Sequence, residues 1–162
     1  MKSFTSTILL LVGLANSTPI TQLEARQIIP GPNPYQIHNF FASKVHNSAS
    51  CSFSFSVTSP TLTTPVNCSV GGLDSGWSGS WWLASVYPGV GKCDDSSVTW
   101  EYYQQHAFED TPADFYVTID GVKGKYVIPK EDISVSENGP SPFDDDVSYS
   151  GPADFQIIDF DF

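Results

Sequence analysis

The chain has 162 residues, with 7 basic and 18 acidic side chains and a net charge of −11. This length suits one ordinary domain that buries its own hydrophobic core. A strongly acidic chain repels phosphate backbones and anionic lipid surfaces, so the composition argues against a nucleic-acid-binding protein and against binding to anionic membranes.

The amino terminus has the pattern of a secretory signal peptide, which we assign to residues 1–17. A basic start at Lys2 precedes an apolar run at residues 8–15, which is too short to span a bilayer. Residues 18–26 are interpreted as a pro-segment cut after Arg26, the alternative being that there is no pro-segment. We therefore expect a secreted, extracellular protein without a membrane span.

The mature chain would be a single domain at residues 27–162, with its core at about residues 35–158. Loss of Lys2, Arg26 and Glu24 leaves five basic and seventeen acidic residues, a net charge of −12. Such a charge favours basic partners, chiefly by electrostatic steering.

Alternating apolar and polar residues, typical of half-buried strands, recur along the mature chain, as in Phe53 to Val57 and Phe115 to Ile119. The pattern predicts strands at residues 35–45, 51–58, 63–69, 80–87, 97–104, 113–120, 124–129, 132–136, 146–150 and 153–159. It indicates an all-β fold, a single antiparallel β-barrel or sandwich of about nine to eleven strands.

Two further local predictions follow from glycine and from the chain end. The segment from Asp120 to Gly124 contains two glycines and predicts a hairpin turn, because glycine tolerates positive φ where the chain reverses. Residues 159–162 are expected to fray.

Three cysteines remain in the mature chain, and three can form only one internal bridge. A secreted chain favours disulfides, and we favour Cys68–Cys93, which leaves Cys51 as a thiol or as a link to a second chain. The expected state is thus a monomer or a disulfide-linked dimer. The alternative bridge, Cys51–Cys68, would join neighbouring strands.

Asn67-Cys68-Ser69 has the pattern of an N-glycosylation acceptor, with Asn67 as the modified residue. Its middle residue is the cysteine that we place in the bridge. Glycosylation and early closure of the disulfide would therefore compete at this site.

Three tryptophans, Trp77, Trp81 and Trp82, occur in six consecutive residues inside a Gly/Ser-rich segment. They are a candidate platform for sugar rings or a small apolar ligand, because exposed tryptophans are uncommon without a function. Burial of these side chains in the core is the favoured alternative, since tryptophan is usually largely buried.

Catalytic patterns are not found in the sequence. The histidines His38, His46 and His106 do not have metal-site spacing. Residues 76–79 (GWSG) lack the G-x-S-x-G spacing of a hydrolase nucleophile, and the abundant carboxylates show no calcium-loop ladder. We expect no catalytic residues, no metal and no cofactor, and hence no enzyme.

Five motifs in a fixed order resemble the Alternaria major-allergen family of small secreted fungal proteins. They are the entry strand Tyr35 to Ala42, the strand Cys51 to Val57, the pair Cys68 and Cys93, the segment Val98 to Tyr102, and Tyr149 to Phe155.

The resemblance implies a compact antiparallel β-barrel with a Cys68–Cys93 disulfide and no catalytic residues. It further implies an effector or elicitor-like protein that binds a host protein or a small ligand. The chain departs from the family in lacking the cysteines for a second bridge. The alternative, based on the tryptophans and carboxylates, is a carbohydrate-binding module or small glycosidase acting on cell-wall polysaccharide.

Overall fold

A computed structural model of the chain describes residues 33–44, 48, 50–74, 83–104, 111–136, 138–139 and 144–161. These residues form eleven β-strands and one turn of 3-10 helix at Lys130–Asp132. The strands are β1 Tyr35–Lys44, β2 Ser50–Thr58, β3 Val66–Asp74, β4 Lys92–Cys93, β5 Val98–Gln104, β6 Ala113–Ile119, β7 Val122–Ile128, β8 Ile133–Ser136, β9 Asp146–Tyr149, β10 Phe155–Ile157 and β11 Asp159–Asp161. The predicted all-β fold is confirmed.

The strands form two antiparallel sheets. The large sheet has the order β4-β3-β2-β1-β9-β8, with β10 also paired to β1, and the small sheet has the order β11-β7-β6-β5. The sheets do not close into a barrel. Of the two architectures that the sequence allowed, the fold is therefore a sandwich, and the barrel implied by the family resemblance is not formed.

Aromatic side chains from both sheets form the centre of the core. Phe55 of the large sheet packs edge-to-face against Trp100 and Phe115 of the small sheet, with ring centroids 5.3 and 5.2 Å apart. Phe40 packs against Phe115 in the same way, at 5.0 Å. Such pairs contribute about 0.5–1.5 kcal/mol each beyond the burial of their surfaces.

The predicted hairpin turn is confirmed between β6 and β7. Ile119 pairs with Val122, so only Asp120 and Gly121 form the loop. Their φ values are 51° and 84°, the left-handed conformation that a two-residue turn of this kind requires.

The entry strand β1 contains a bulge at Asn39, whose φ is 53°. Its register with β2 shifts by one residue between His38 and Phe41. The extra residue directs Phe40 and Ala42 into the core and leaves Phe41 on the outer face, 51% exposed.

Two strand predictions were wrong. Within residues 83–87 the chain makes only a single bridge, between Val86 and Tyr102, in place of the predicted strand at 80–87, whose first residues lie outside the described ones. The predicted strand at 153–159 is two strands, because Ile157 pairs in the large sheet whereas Asp159 pairs in the small sheet.

The expected fraying at the chain end is also wrong for Asp159–Asp161, which forms β11 against β7. Phe160 explains this result, since its ring lies 4.9 Å from that of Tyr35 in an edge-to-face contact. A β-carbon at Gly124 would come within 2.6 Å of Ile157 and 3.0 Å of Phe160. A glycine at this point of β7 lets the final strand pack closely.

Candidate functional site

The predicted disulfide is confirmed, since Cys68 of β3 and Cys93 of β4 are bonded. They are direct partners in the strand register, with their Cα atoms 4.0 Å apart. The alternative bridge between Cys51 and Cys68 is therefore wrong.

Cys51 lies outside the bridge and is fully buried. The backbone N–H of Ala84 donates a hydrogen bond to its Sγ atom at 3.3 Å. Burial raises the pKa of the neighbouring Tyr102, and Cys51 adds to that shift. A link between two chains through Cys51 would require this part of the core to open, and such a link stays a prediction.

The other predicted site residues are only partly described. Trp77, Trp81 and Trp82 lie outside the described residues, so the tryptophan platform stays a prediction. Among the histidines, only His38 is described, and its Nε2 atom lies 3.3 Å from Oγ1 of Thr58. Within the described ranges, no group of three His, Cys, Asp or Glu side chains is placed to share a metal ion. No helix among these residues is long and apolar enough to cross a membrane.

The most elaborate surface is the outer face of the small sheet, which the sequence analysis did not identify. We call it the tyrosine face. Its members are side chains of β5, β6 and β7 together with Tyr87, which lies beside β5: Tyr87, Glu101, Tyr103, Asp114, Tyr116, Lys123 and Lys125.

Two ion pairs connect the three strands across the tyrosine face. Nζ of Lys123 lies 3.0 Å from Oε1 of Glu101, whose side chain is only 15% exposed. Nζ of Lys125 lies 3.0 Å from Oδ1 of Asp114. This surface therefore has balanced charges, although the whole chain is strongly acidic.

Hydroxyl groups extend both pairs. Tyr103 donates its hydroxyl hydrogen to Oε2 of Glu101 at 3.0 Å, and Tyr116 donates to Oδ2 of Asp114 at 3.2 Å. Loss of solvent and the hydrogen bond to Glu101 raise the pKa of Tyr103 to about 12. The hydrogen bond to Asp114 raises the pKa of Lys125.

The three tyrosine rings form a row without sharing a plane. Tyr103 lies between Tyr87 and Tyr116, with centroid distances of 5.7 and 6.1 Å and interplanar angles of 69° and 68°. Nζ of Lys123 lies 4.2 Å from the ring centre of Tyr116. A flat ligand therefore cannot stack on all three rings, and one ring face is already in contact with a lysine.

The opposite side of the sandwich has a polar groove of about 340 Å³ beside the disulfide. Its lining is dominated by short hydroxyl and amide side chains, with one lysine and one aspartate at the edge: Asn39, Ser54, Ser56, Asn67, Ser69, Lys92 and Asp94. Nδ2 of Asn67 donates to Oδ2 of Asp94 at 3.0 Å.

Comparisons of the chain with protein-family models, with curated proteins and with solved structures give no match. The resemblance to the Alternaria allergen family consequently stays a prediction from the motifs.

Proposed function

We propose that this chain is a secreted, non-enzymatic binding protein, of the effector or elicitor type, that docks a basic extracellular host protein on its tyrosine face. The observation that carries the proposal is the row of Tyr87, Tyr103 and Tyr116 on the outer face of the small sheet, with Tyr87 60% exposed and the other two partly exposed. Tyrosine is enriched at protein interfaces because its ring gives contact area while its hydroxyl stays hydrogen-bonded.

The charges of the chain support a protein partner with a basic surface. Lys123 and Lys125 neutralise Glu101 and Asp114 on the face itself, so docking there does not bury an unpaired charge. The remaining chain is strongly acidic, and its field would speed the approach of a basic partner.

The ring geometry favours a protein partner over a polysaccharide. Sugar rings stack flat on aromatic faces, whereas the rings of Tyr87, Tyr103 and Tyr116 are inclined by almost 70° to their neighbours. Contoured edges and hydroxyl groups of this kind suit the uneven surface of a folded protein.

Capture from plant extracellular fluid tests the proposal. Immobilised wild-type protein should retain a basic protein that the double variant Tyr87→Ala, Tyr103→Ala retains poorly. Phe41→Ala is the matched control, because Phe41 is an exposed aromatic residue on the outer face of the large sheet. Equal capture by the double variant, or capture matched by an unrelated acidic protein, would contradict the proposal.

The carbohydrate alternative has its own measurement. Titration with chitin, glucan and xylan oligomers, followed by tryptophan fluorescence, should give no saturable change for the wild-type protein. A saturable change would instead favour a sugar-binding protein, with Trp77, Trp81 and Trp82 as the first residues to replace.

A further inference from the structure

The acceptor sequence Asn67-Cys68-Ser69 lies near the start of β3, which has β2 on one side and β4 on the other. Asn67 pairs with Ser56 of β2, and Cys68 pairs with Cys93 of β4. Because side chains alternate along a strand, Asn67 and Ser69 are exposed on the outer face while Cys68 is buried.

Asp94, which follows Cys93, forms two hydrogen bonds with the acceptor residue Asn67. The backbone N–H of Asp94 donates to the carbonyl oxygen of Asn67 at 2.9 Å. The Nδ2 atom of Asn67 in turn donates to Oδ2 of Asp94 at 3.0 Å. The nitrogen that would receive a glycan is thus engaged by a carboxylate adjacent to the disulfide.

We propose that Asn67 is an N-glycosylation site that is open only until the Cys68–Cys93 disulfide closes, so that oxidation of the pair ends its modification. The proposal depends on the secretion proposed above, in a cell with a eukaryotic secretory pathway. It does not depend on what the tyrosine face binds.

The two competing reactions are both covalent. In glycosylation, Nδ2 of Asn67 attacks the anomeric carbon of a lipid diphosphate oligosaccharide. A carbon–nitrogen bond forms, the bond from that carbon to the diphosphate oxygen breaks, and the amide proton is lost as the lipid diphosphate leaves. In closure, the two thiols lose two protons and two electrons to the disulfide of a secretory-pathway oxidoreductase, which is reduced to its dithiol, and a sulfur–sulfur bond forms.

The disulfide decides whether Asn67 remains accessible, because β4 has only two residues, Lys92 and Cys93. So short a strand at a sheet edge is marginal without a covalent link. With the link formed, Cys68 and Ser69 are paired with β4 as well as with β2. Asp94 is then held against Asn67, so the acceptor segment cannot leave the sheet to enter an enzyme. Before the disulfide forms, the acceptor segment can enter the enzyme if β2 has not yet paired with β3 or has separated from it.

The timing gives both reactions a comparable chance. The cysteines are separated by 25 residues, which take on the order of seconds to synthesise at usual rates. Disulfide formation also begins on a scale of seconds. We therefore expect wild-type protein to be a mixture of glycosylated and unmodified chains, both carrying the disulfide.

A glycan on Asn67 would project from the outer face of the large sheet, beside the polar groove. The tyrosine face is on the outer face of the other sheet. Enzymatic removal of the glycan should therefore leave capture of a partner unchanged, which separates the outcome for this site from the outcome for the proposed function.

The test is glycan occupancy in the full chain expressed with its own leader in yeast, measured on total cell-associated and secreted protein by mass spectrometry with and without endoglycosidase. Cys93→Ser should raise occupancy by up to about twofold, toward full modification, and Ser69→Ala should abolish it. A double variant, Cys51→Ala with Cys93→Ser, should behave as Cys93→Ser does, which excludes mispairing of Cys68 with Cys51.

Gly124→Ala is the matched control for slow folding. It crowds Ile157 and Phe160 without touching the disulfide, and occupancy should remain at the wild-type level. The proposal is overturned if Cys93→Ser leaves occupancy unchanged, if Gly124→Ala raises it equally, or if none of the variants is glycosylated.

Discussion

The two outer faces of the sandwich both belong to antiparallel sheets, but they differ in side-chain chemistry. The outer face of the large sheet presents short groups such as Ser54, Ser56 and Asn67. On the outer face of the small sheet, long side chains contact one another across three strands, as in the contacts of Glu101 with Lys123 and Tyr103.

The difference indicates that solvent exposure alone does not explain the tyrosine face. A strand needs only small polar residues on its solvent side, and Ser54 and Ser56 of the large sheet are of this kind, although Phe41 on the same face is also exposed. Side chains already held in ion pairs and hydrogen bonds lose less conformational entropy when a partner binds. The contacts among Glu101, Tyr103 and Lys123 therefore support the proposed docking of a partner on the tyrosine face.

The largest effect on stability should come from the edge of the large sheet. Replacing Cys93 with serine removes the disulfide and should lower the free energy of unfolding by about 2–5 kcal/mol. Urea denaturation of wild-type protein under reducing conditions should match the variant under oxidising conditions. If the reduced wild-type protein and the Cys93→Ser variant both unfolded at the midpoint of oxidised wild-type protein, β4 would not need its covalent link.

A smaller loss is expected where the two sheets meet at the chain end. Gly124→Ala overpacks the contact with Ile157 and Phe160 and should cost about 1–3 kcal/mol. Val127→Ala, an exposed position in the same strand, should change stability by no more than about 0.5 kcal/mol. Equal losses for the two variants in thermal denaturation would contradict the close packing of β11.

The two outer faces should differ in what their polar side chains contribute. Glu101→Gln removes a charge shared by Lys123 and Tyr103 and should destabilise the fold by about 1 kcal/mol at low salt. The loss should shrink as salt screens the pair. Ser54→Ala should have little effect at any salt concentration, and a salt-independent loss for Glu101→Gln would show that the ion pair is unimportant.

The smallest effect concerns alkaline pH. The pKa of Tyr103 is raised to about 12 in the fold, so the folded state holds its proton more tightly than the unfolded chain does. The resulting stability is fully present below the unfolded pKa, about 10, and is lost as pH rises toward 12.

Tyr103→Phe should therefore lose stability less steeply across this alkaline range than wild-type protein, in denaturation measured at successive pH values. Wild-type protein must be compared with this single variant because other tyrosines contribute to the same alkaline loss. Burial also raises the pKa of Tyr35, Tyr126 and Tyr149. Identical slopes would contradict the raised pKa of Tyr103, to which loss of solvent contributes most and the hydrogen bond to Glu101 next.

The sequence predicted much of the fold because alternation reports which strand positions are buried. The alternation predicts that Phe53, Phe55 and Phe115 lie on apolar strand faces, and all three are buried in the core. The hairpin at Asp120 was also predictable from the position of its glycine. The cysteine number predicted a single internal bridge, but the choice of Cys68–Cys93 over Cys51–Cys68 was left open by the residues and is settled only by the register of β3 and β4.

Features that depend on distant residues were not predictable. The bulge at Asn39 is held by a hydrogen bond from its N–H to Oδ1 of Asp154, 115 residues away. The strand β4 exists opposite Cys68, and two residues give no periodicity to detect.

The tyrosine face was missed for the same reason. Alternation places Glu101 and Tyr103 on the polar side of one strand and Tyr116 on the polar side of the next. Only the register, which sets Glu101 beside Tyr116 and Tyr116 beside Lys125, brings them into one surface. Register depends on pairing between strands and is not written in any single segment.

The most direct test of the central claim is the dissociation constant of the captured partner for Tyr103→Ala and for Phe41→Ala, measured with folded variants at one salt concentration. A central interface tyrosine contributes about 2 kcal/mol or more, so Tyr103→Ala should weaken binding by roughly 30-fold. Phe41→Ala should leave affinity unchanged. Equal affinities for the two variants, or a loss only in Phe41→Ala, would show that the partner does not dock on the tyrosine face.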